Sequence, residues 1–151
     1  MNVGQICQRK VVTIGASDTL SAAAKLMRDK HIGYLVVVEP AVQAGELLPI
    51  GVLTDRDIVV SVVAKDGDPK TLLVGDVMTR KPTVALKQDC VGDAVQEMRR
   101  IGVRRLPIVG DYGNLHGLLS LDDILIDMAN DLEGAAGAIR EERIRDATRH
   151  P

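Results

Sequence analysis

Gly51-Val-Leu-Thr-Asp-Arg-Asp57 returns later in the chain as Gly117-Leu-Leu-Ser-Leu-Asp-Asp123. In both stretches a short apolar segment leads to a hydroxyl side chain, Thr54 or Ser120, and an aspartate follows three residues later. An apolar segment of this length is typical of a strand, and a hydroxyl followed by acids is typical of a helix start. The duplication predicts that the chain contains two copies of one structural unit.

The repetition extends well beyond these two stretches. Shifting the chain by 71 positions aligns residues 3–38 with residues 74–109 without a gap and gives ten identities in 36 positions. The identities include Arg9/Arg80, Lys10/Lys81 and Met27/Met98. After residue 50 the match resumes with an offset of 66, so the first repeat carries five extra residues. We expect them in a surface loop within residues 40–49, where an insertion costs little.

Within each repeat, the periodicity of the apolar residues predicts the order β-α-β-β-α. Asp18 and Asp89 each precede an apolar stripe with helical spacing, and we expect both to cap a helix. Gly33 is a candidate for the end of the first helix. Residues 34–38 and 50–54 are apolar, which is typical of buried strands. The second helix of repeat 1 should direct four apolar side chains inward: Ile58, Val59, Val62 and Val63.

These elements predict an α/β fold, more narrowly α+β. Two β-α-β-β-α repeats should pack through their sheets, because one repeat alone cannot cover its apolar faces. We assign residues 1–70 to repeat 1, residues 71–130 to repeat 2 and residues 131–151 to a charged C-terminal helix or tail. Gly134-Ala-Ala-Gly137 interrupts the apolar pattern in this last segment. It is either a solvated or frayed helix or a helical extension that joins a partner subunit.

The composition argues against several classes of protein. The 151 residues carry a formal net charge of −2 and include neither Trp nor Phe. The absence of a strongly basic segment makes nucleic acid an unlikely main partner. No apolar run approaches the length of a membrane span, and the first residues do not resemble a signal peptide. Two cysteines and three scattered histidines suggest neither a disulfide framework nor a metal site. We expect a cytoplasmic protein with no membrane contact.

The chain resembles a tandem pair of cystathionine-β-synthase-type domains, or CBS domains. The motifs that carry the resemblance are the two stretches quoted above, Val74-Gly-Asp-Val-Met-Thr79 before repeat 2, and Arg105-Leu-Pro-Ile-Val109 in repeat 2. They lie in register and in duplicate across about residues 3–128. The resemblance implies a disc-like module around a pseudo-two-fold axis, with two clefts between the repeats for adenosine-type ligands. It also implies that modules pair into homodimers.

The strongest candidates for ligand contacts are Thr54 with Asp57 and Ser120 with Asp123. From the residues alone, each pair is either an ordinary helix start or a contact to phosphate and ribose beside a helix N-terminus. The family resemblance implies the second role, with the aspartate accepting hydrogen bonds from the ribose hydroxyls.

The resemblance also implies that each cleft combines the aspartate of one repeat with the strands of the other. The Asp57 cleft, named after its aspartate, would then include Arg104 and Arg105, since permanently charged guanidinium groups suit phosphate. The region of Pro82 and Thr83 would line the adenine side of this cleft. We therefore expect phosphorylated ligands here.

The Asp123 cleft would face Gly33 and Tyr34, which occupy the positions that match Arg104 and Arg105. It would therefore lack the cationic pair. Tyr34 would either stack on a base or fill the space of an absent ligand. We expect this cleft to hold a weakly charged adenosyl ligand or none.

Taken together, the residues and the resemblance predict a regulatory module that binds AMP, ADP or ATP, with S-adenosylmethionine or NAD as further candidates. No cofactor is required, and the output would pass through an unidentified regulated protein. The alternative is a ligand-free structural or protein-interaction module that dimerises. We expect no enzyme, because the sequence contains no catalytic triad pattern, Walker-type glycine loop or HExxH motif.

Overall fold

The computed structural model of the protein describes residues 1–150. The first half of the chain contains α1 (Val3–Ile6), β1 (Thr13–Gly15), α2 (Leu20–Lys30), β2 (Tyr34–Pro40), β3 (Leu47–Thr54) and α3 (Asp55–Ser61). The second half contains α4 (Val74–Val77), β4 (Thr79–Arg80), β5 (Ala85–Leu86), α5 (Val91–Ile101), β6 (Arg105–Val109), β7 (Leu115–Ser120) and α6 (Leu121–Arg149). The predicted β-α-β-β-α order and the mixed α+β class are confirmed.

The strands form two small sheets of related topology. In each sheet a parallel pair precedes an antiparallel pair: β1 with β2 and β2 with β3, then β5 with β6 and β6 with β7. The short strand β4 adds to the first sheet by pairing with β3, so the orders are β1-β2-β3-β4 and β5-β6-β7. β3 also contacts β7, which brings the two sheets together.

The segment before each repeat packs into the other repeat's core. Val74 and Met78 from the second half belong to the core formed around α2, β2 and β3. Val3 and Cys7 from the N-terminus belong to the core formed around α5, β6 and β7. Two backbone hydrogen bonds of 2.9 Å between Gln8 and Leu118 fix this N-terminal segment beside β7. Each repeat is therefore completed by residues that precede the other.

The matched glycines Gly51 and Gly117 permit these crossings. A Cβ atom at Gly51 would lie 2.6 Å from the Met78 Sδ atom, and one at Gly117 would lie 2.6 Å from the Cys7 Sγ atom. Real Cβ atoms essentially never make contacts this short, so a side chain at either position would displace either the side chain that it meets or the crossing backbone, whose nearest carbonyl oxygens would be 3.0 Å and 2.8 Å away. The repeated glycine therefore has a packing role in both halves.

Helix boundaries differ in detail from the sequence prediction. The side chain that caps α2 belongs to Thr19, whose hydroxyl accepts from the Ala22 N–H, and not to Asp18. Asp18 and Asp89 accept instead from the backbone N–H three residues earlier and so close the turn before the helix. The expected end at Gly33 is also wrong, because α2 ends at Lys30 and His31 takes the left-handed conformation with φ 55°.

The inward face of α3 is narrower than predicted. Ile58 is half-buried against the first core, and Val62, just after the end of α3, is buried with 2% of its surface exposed. Val59 and Val63 are 55% and 66% exposed. This part of the prediction is wrong because α3 ends at Ser61 and Val63 begins a short 3₁₀ helix, so the α-helical spacing does not extend to it.

The last helix, α6, is the longest element of the fold. It runs without interruption from Leu121 to Arg149, a length of 29 residues, and passes through Gly134-Ala-Ala-Gly137. Its first turns pack against β7 and α1. No helix among residues 1–150 is both long enough and apolar enough to cross a membrane.

Candidate functional site

The carboxylate of Asp57 is fixed at the junction of β3 and α3. Thr54 ends the strand, and its hydroxyl accepts a hydrogen bond from the Asp57 N–H at 3.1 Å. In return, Oδ2 of Asp57 accepts from the Thr54 N–H at 2.8 Å. This reciprocal capping box holds the side chain in one orientation. No donor within residues 1–150 reaches the other carboxylate oxygen, so that oxygen is free to accept from a ligand.

Asp123 occupies the matching position at the junction of β7 and α6 and has more partners. Ser120 forms the same capping box, with its Oγ accepting from the Asp123 N–H at 3.1 Å. In addition, the Gln8 side-chain amide donates to Oδ1 of Asp123 at 3.0 Å. A ligand that uses this carboxylate must therefore share or replace the bond to Gln8.

The structure contains an Asp57 cleft with a volume of about 320 Å³ between the two halves of the chain. Thr54 and Asp57 line one side, and Thr83, Val103 and Arg105 come from the second half. The remaining wall is largely apolar and includes Val52, Pro82, Ile101 and Leu106. The arrangement combines a carboxylate, a cation and an apolar wall, which suit a ribose, a phosphate and a purine respectively.

An Asp123 cleft of the same volume, about 320 Å³, lies on the other side of the sheet contact. Ser120 and Asp123 line it together with Val12, Gly33 and Tyr34 from the first half. Its wall is more polar, because Gln8 and His31 also contribute. The two clefts therefore have the same plan, an aspartate from one repeat opposite strands of the other.

Each cleft also contains a lysine that the sequence reasoning did not select. Lys81 lines the Asp57 cleft and Lys10 lines the Asp123 cleft. Lys10 and Lys81 occupy matching positions of the internal repeat. The arginine before each lysine contacts the backbone. Arg9 donates to the Gly4 carbonyl and Arg80 to the Gly75 carbonyl, each at 2.8 Å. The repeated Arg-Lys pair was the signal that could have identified these lysines.

Arg105 and Tyr34 lie where the two clefts meet. Both side chains line both clefts. The Arg105 guanidinium carbon is 5.7 Å from the centroid of the Tyr34 ring, within range of a cation–π interaction. Burial raises the pKa of the Tyr34 phenol, against the opposing effect of Arg105, so this hydroxyl stays protonated at neutral pH. The Arg105 guanidinium and the Tyr34 ring therefore form a wall that the Asp57 cleft and the Asp123 cleft share.

Arg104 is placed differently from its neighbour. It lies outside the set of described residues that line either cleft, and its Nη2 contacts the Asp122 carboxylate at 2.8 Å. Both partners of this ion pair are exposed. Arg105 begins β6, where successive side chains point to opposite faces, so the two arginines separate. Because Arg105 also lines the Asp123 cleft, the clefts are more alike in charge than the sequence suggests.

Other reactive side chains lie away from the clefts. Cys7 is buried in the second core, Cys90 is exposed at the start of α5, and His116 contacts Arg9. Burial and the charges of Arg9 and Lys87 lower the pKa of His116. In the described part of the chain, no three metal-ligating side chains come together.

The chain belongs to the CBS domain family. The CBS domain sequence model matches residues 3–64 and 74–130, which include both capping boxes. A relative from Methanopyrus kandleri, named "Uncharacterized protein MK0525", is 36% identical over 126 residues. That alignment covers 83% of this chain and 61% of the relative, so the relative is substantially longer than the matched region.

Two solved structures extend the comparison. A hexameric CBS-CP12 protein from bloom-forming cyanobacteria is 30% identical with a TM-score of 0.71, and the alignment covers 99% of this chain and 88% of that one. A CBS domain protein from Pyrobaculum aerophilum, solved in complex with AMP, has a TM-score of 0.72 and covers 86% of this chain and 99% of that one. At 24% identity, the second likeness shows a shared fold. The fold is that of a CBS-domain pair.

Proposed function

We propose that this protein is a regulatory module that binds an adenine nucleotide between its two repeats and acts through a separate protein. The observation that carries the proposal is the Asp57 cleft. A capped aspartate with a free carboxylate oxygen faces two cations, Lys81 and Arg105, across an apolar floor. AMP, ADP and ATP supply the ribose diol, phosphate and purine that match these groups. The proposal is supported by the Pyrobaculum aerophilum protein, which has the same fold and was solved in complex with AMP.

Within this cleft, we assign a role to each group. The free oxygen of Asp57 accepts from the ribose hydroxyls, and Thr54 holds the aspartate in place. Lys81 and Arg105 contact phosphate, while Thr83 and its apolar neighbours line the adenine side. S-adenosylmethionine and NAD fit the cations less well, since the first carries a positive sulfonium and the second has no terminal phosphate. We propose binding and not catalysis, with no cofactor required.

The Asp123 cleft is the weaker of the two sites in this proposal. Gln8 already donates to the carboxylate, and Tyr34 occupies part of the wall. Both contacts also support a second candidate function, in which the clefts stay empty and the protein serves only as an interaction module. The two candidates differ in one measurable property, the saturable binding of a nucleotide.

Calorimetry and thermal unfolding with AMP, ADP, ATP, NAD and S-adenosylmethionine test the proposal. A native-state ligand at 100 times its Kd stabilises the fold by about 2.7 kcal/mol, enough to raise the Tm by several degrees. Asp57→Asn should weaken nucleotide binding strongly. Asp55→Asn is the matched control, because it makes the same chemical change on the same helix, and Asp55 is exposed and is not among the residues that line the Asp57 cleft. No response to any nucleotide would favour the ligand-free interaction module.

We also propose that the protein forms a homodimer. The long helix α6, most of which is exposed, supports this, as does the hexameric assembly of the cyanobacterial protein aligned over 99% of the chain.

A further inference from the structure

The C-terminal half of α6 has little of its own chain to pack against. From Asn130 to His150 every side chain is exposed except Ala136 and Gly137, which are half-buried. This part of the helix is about 30 Å long. Most of the stability of a protein helix comes from packing an apolar face, which this segment lacks within its own chain, and Gly134 and Gly137 weaken it further. A Cβ atom at either glycine would meet nothing within 4 Å. A partner packed against this segment would therefore stabilise it.

One face of this helix carries a regular apolar stripe, which we define as Leu125, Met128, Leu132, Ala135 and Ile139. The residues follow one another at intervals of three and four, the spacing of the core positions in a coiled coil. Leu125 and Met128 are each 55% exposed, Leu132 is 71% exposed and Ile139 is 53% exposed. Four large apolar side chains on one stripe point to a second helix of the same spacing. The stripe crosses residue 130, where the CBS domain match ends.

The charges of α6 favour a second copy of the chain as the partner. Residues 121–133 contain five acids and no base, whereas residues 134–149 contain all four arginines of the helix and three acids, a net charge of +1. Two such helices side by side in the same direction would place the acidic halves together. In the opposite direction, the acidic half of each helix meets the net-positive half of the other. A surface that complements itself in this way is what a two-fold symmetric dimer requires.

We propose that α6 pairs with α6 of a second copy of this chain as an antiparallel coiled coil through the apolar stripe. The register that buries the centre of the stripe places Met128 opposite Ile139 of the second copy and Leu132 opposite its Ala135. This proposal deepens the homodimer proposed above by naming its surface, and it does not depend on nucleotide binding.

The association state of the full chain, measured by sedimentation equilibrium without nucleotide over a concentration series, tests the surface. The unaltered protein should dimerise, and Leu132→Glu should stay monomeric at every concentration. Ile144→Glu is the matched control, because it makes the same change on the same helix. Ile144 is 61% exposed and lies about a third of a turn away from the stripe. This control variant should dimerise like the unaltered protein. Far-UV circular dichroism and the unfolding midpoint show that both variants keep the core.

Cysteine cross-linking in a Cys90→Ser background tests the direction of the pairing. Met128→Cys combined with Ile139→Cys should give a disulfide-linked dimer on mild oxidation, because antiparallel pairing places each cysteine opposite the other one in the second copy. The two positions are 11 residues apart on one helix, about 16 Å, so this cross-link can form only between copies. Met128→Cys alone should not cross-link, and a disulfide-linked dimer of that single variant would show parallel pairing and overturn the proposed direction. A dimer that survives Leu132→Glu would overturn this surface and leave the homodimer proposal standing. A monomeric unaltered protein would overturn both, while the calorimetric result on nucleotides would be unaffected.

Discussion

Asp57 and Asp123 combine a structural and a chemical task in one side chain. Each caps the helix that follows its strand through one carboxylate oxygen. The cap fixes the position of the second oxygen before any ligand arrives. A pre-positioned acceptor loses little conformational freedom on binding, which favours affinity. Position three of the helix is therefore a suitable place for a ribose contact.

The two repeated lysines lead to the first prediction. Lys81→Ala should weaken binding of AMP by roughly tenfold or more, because a hydrogen bond to a charged group contributes about 1.5–3 kcal/mol. The same substitution should leave the affinity for adenosine unchanged, since adenosine has no phosphate. Calorimetric titrations with both ligands measure this difference. Lys10→Ala, the matched change in the Asp123 cleft, should have the smaller effect on AMP. An equal loss for AMP and adenosine would contradict the assignment of Lys81 to phosphate.

For single residues, the sequence predicts which residues belong to the site better than it predicts where their side chains point. The capped aspartates and Arg105 lie at the clefts, as the motif suggested, and Tyr34 lies beside the predicted Asp123 cleft. Arg104 could not be separated from Arg105, because the alternation of β6 decides which of them faces the cleft. Lys10 and Lys81 were missed for another reason. The repeated Arg-Lys pair marks both residues, but only the packing of the two repeats shows that they line the clefts.

Among the elements, the short segments that cross between repeats are the most constrained. The second prediction concerns the glycine under the N-terminal crossing. Gly117→Ala should lower the free energy of unfolding by about 1–3 kcal/mol, because the new methyl group would overlap Cys7 and the Gln8 carbonyl. Gly92→Ala in α5 is the control. Its nearest neighbour beyond the adjoining residues would be 3.9 Å away, and it should be neutral or stabilising by up to about 1 kcal/mol.

Urea unfolding at equilibrium measures both glycine variants. If Gly117→Ala proved as stable as the unaltered chain, the N-terminal segment would have to leave β7 without cost, and the crossing would not contribute to the fold.

The elements themselves follow closely from apolar periodicity, since strands and amphipathic helices are local patterns. The ends of the elements are harder to predict. Both Asp18 and Thr19 are residues that can cap a helix, and only the backbone geometry shows that Thr19 caps α2. The extra residues of repeat 1 also behave differently from a plain loop. They lengthen the hairpin, so that Pro40 pairs with Leu47. Hydrogen bonds between strands depend on partners distant in sequence, which periodicity does not reveal.

For the whole molecule, the exchange of segments makes the two repeats depend on each other. Val3 is fully buried in the second core although it precedes the first repeat. The third prediction is that Val3→Ala lowers the stability of the entire chain by about 1–3 kcal/mol and leaves a single unfolding transition. Circular dichroism and calorimetry on the same sample should give the same midpoint. Two separate transitions would show that the repeats unfold independently.

The residues shared by the two clefts make ligand binding in one cleft depend on the other. Arg105 and Tyr34 line both clefts, so two anionic ligands would compete for one guanidinium. A first nucleotide that draws Arg105 towards it removes a favourable charge from the other cleft. The fourth prediction is therefore that a second AMP binds about 5-fold to 150-fold more weakly than the first, the usual range of coupling between sites.

Calorimetry on the Leu132→Glu variant, which we expect to be monomeric, measures this coupling within a single chain. Arg105→Ala should lower both affinities and remove the coupling, leaving only the intrinsic difference that Gln8 and Tyr34 impose on the Asp123 cleft. Arg100→Ala is the matched control, since Arg100 pairs with Glu97 on α5 and lines neither cleft, so its loss should leave the coupling intact. Because coupling free energies are reciprocal, the same factor must result whichever cleft fills first. If the two clefts of the chain with Arg105 bound AMP independently, the prediction would be wrong. The guanidinium would then contact the ligand in one cleft only, and the two halves of the chain would be linked by packing alone.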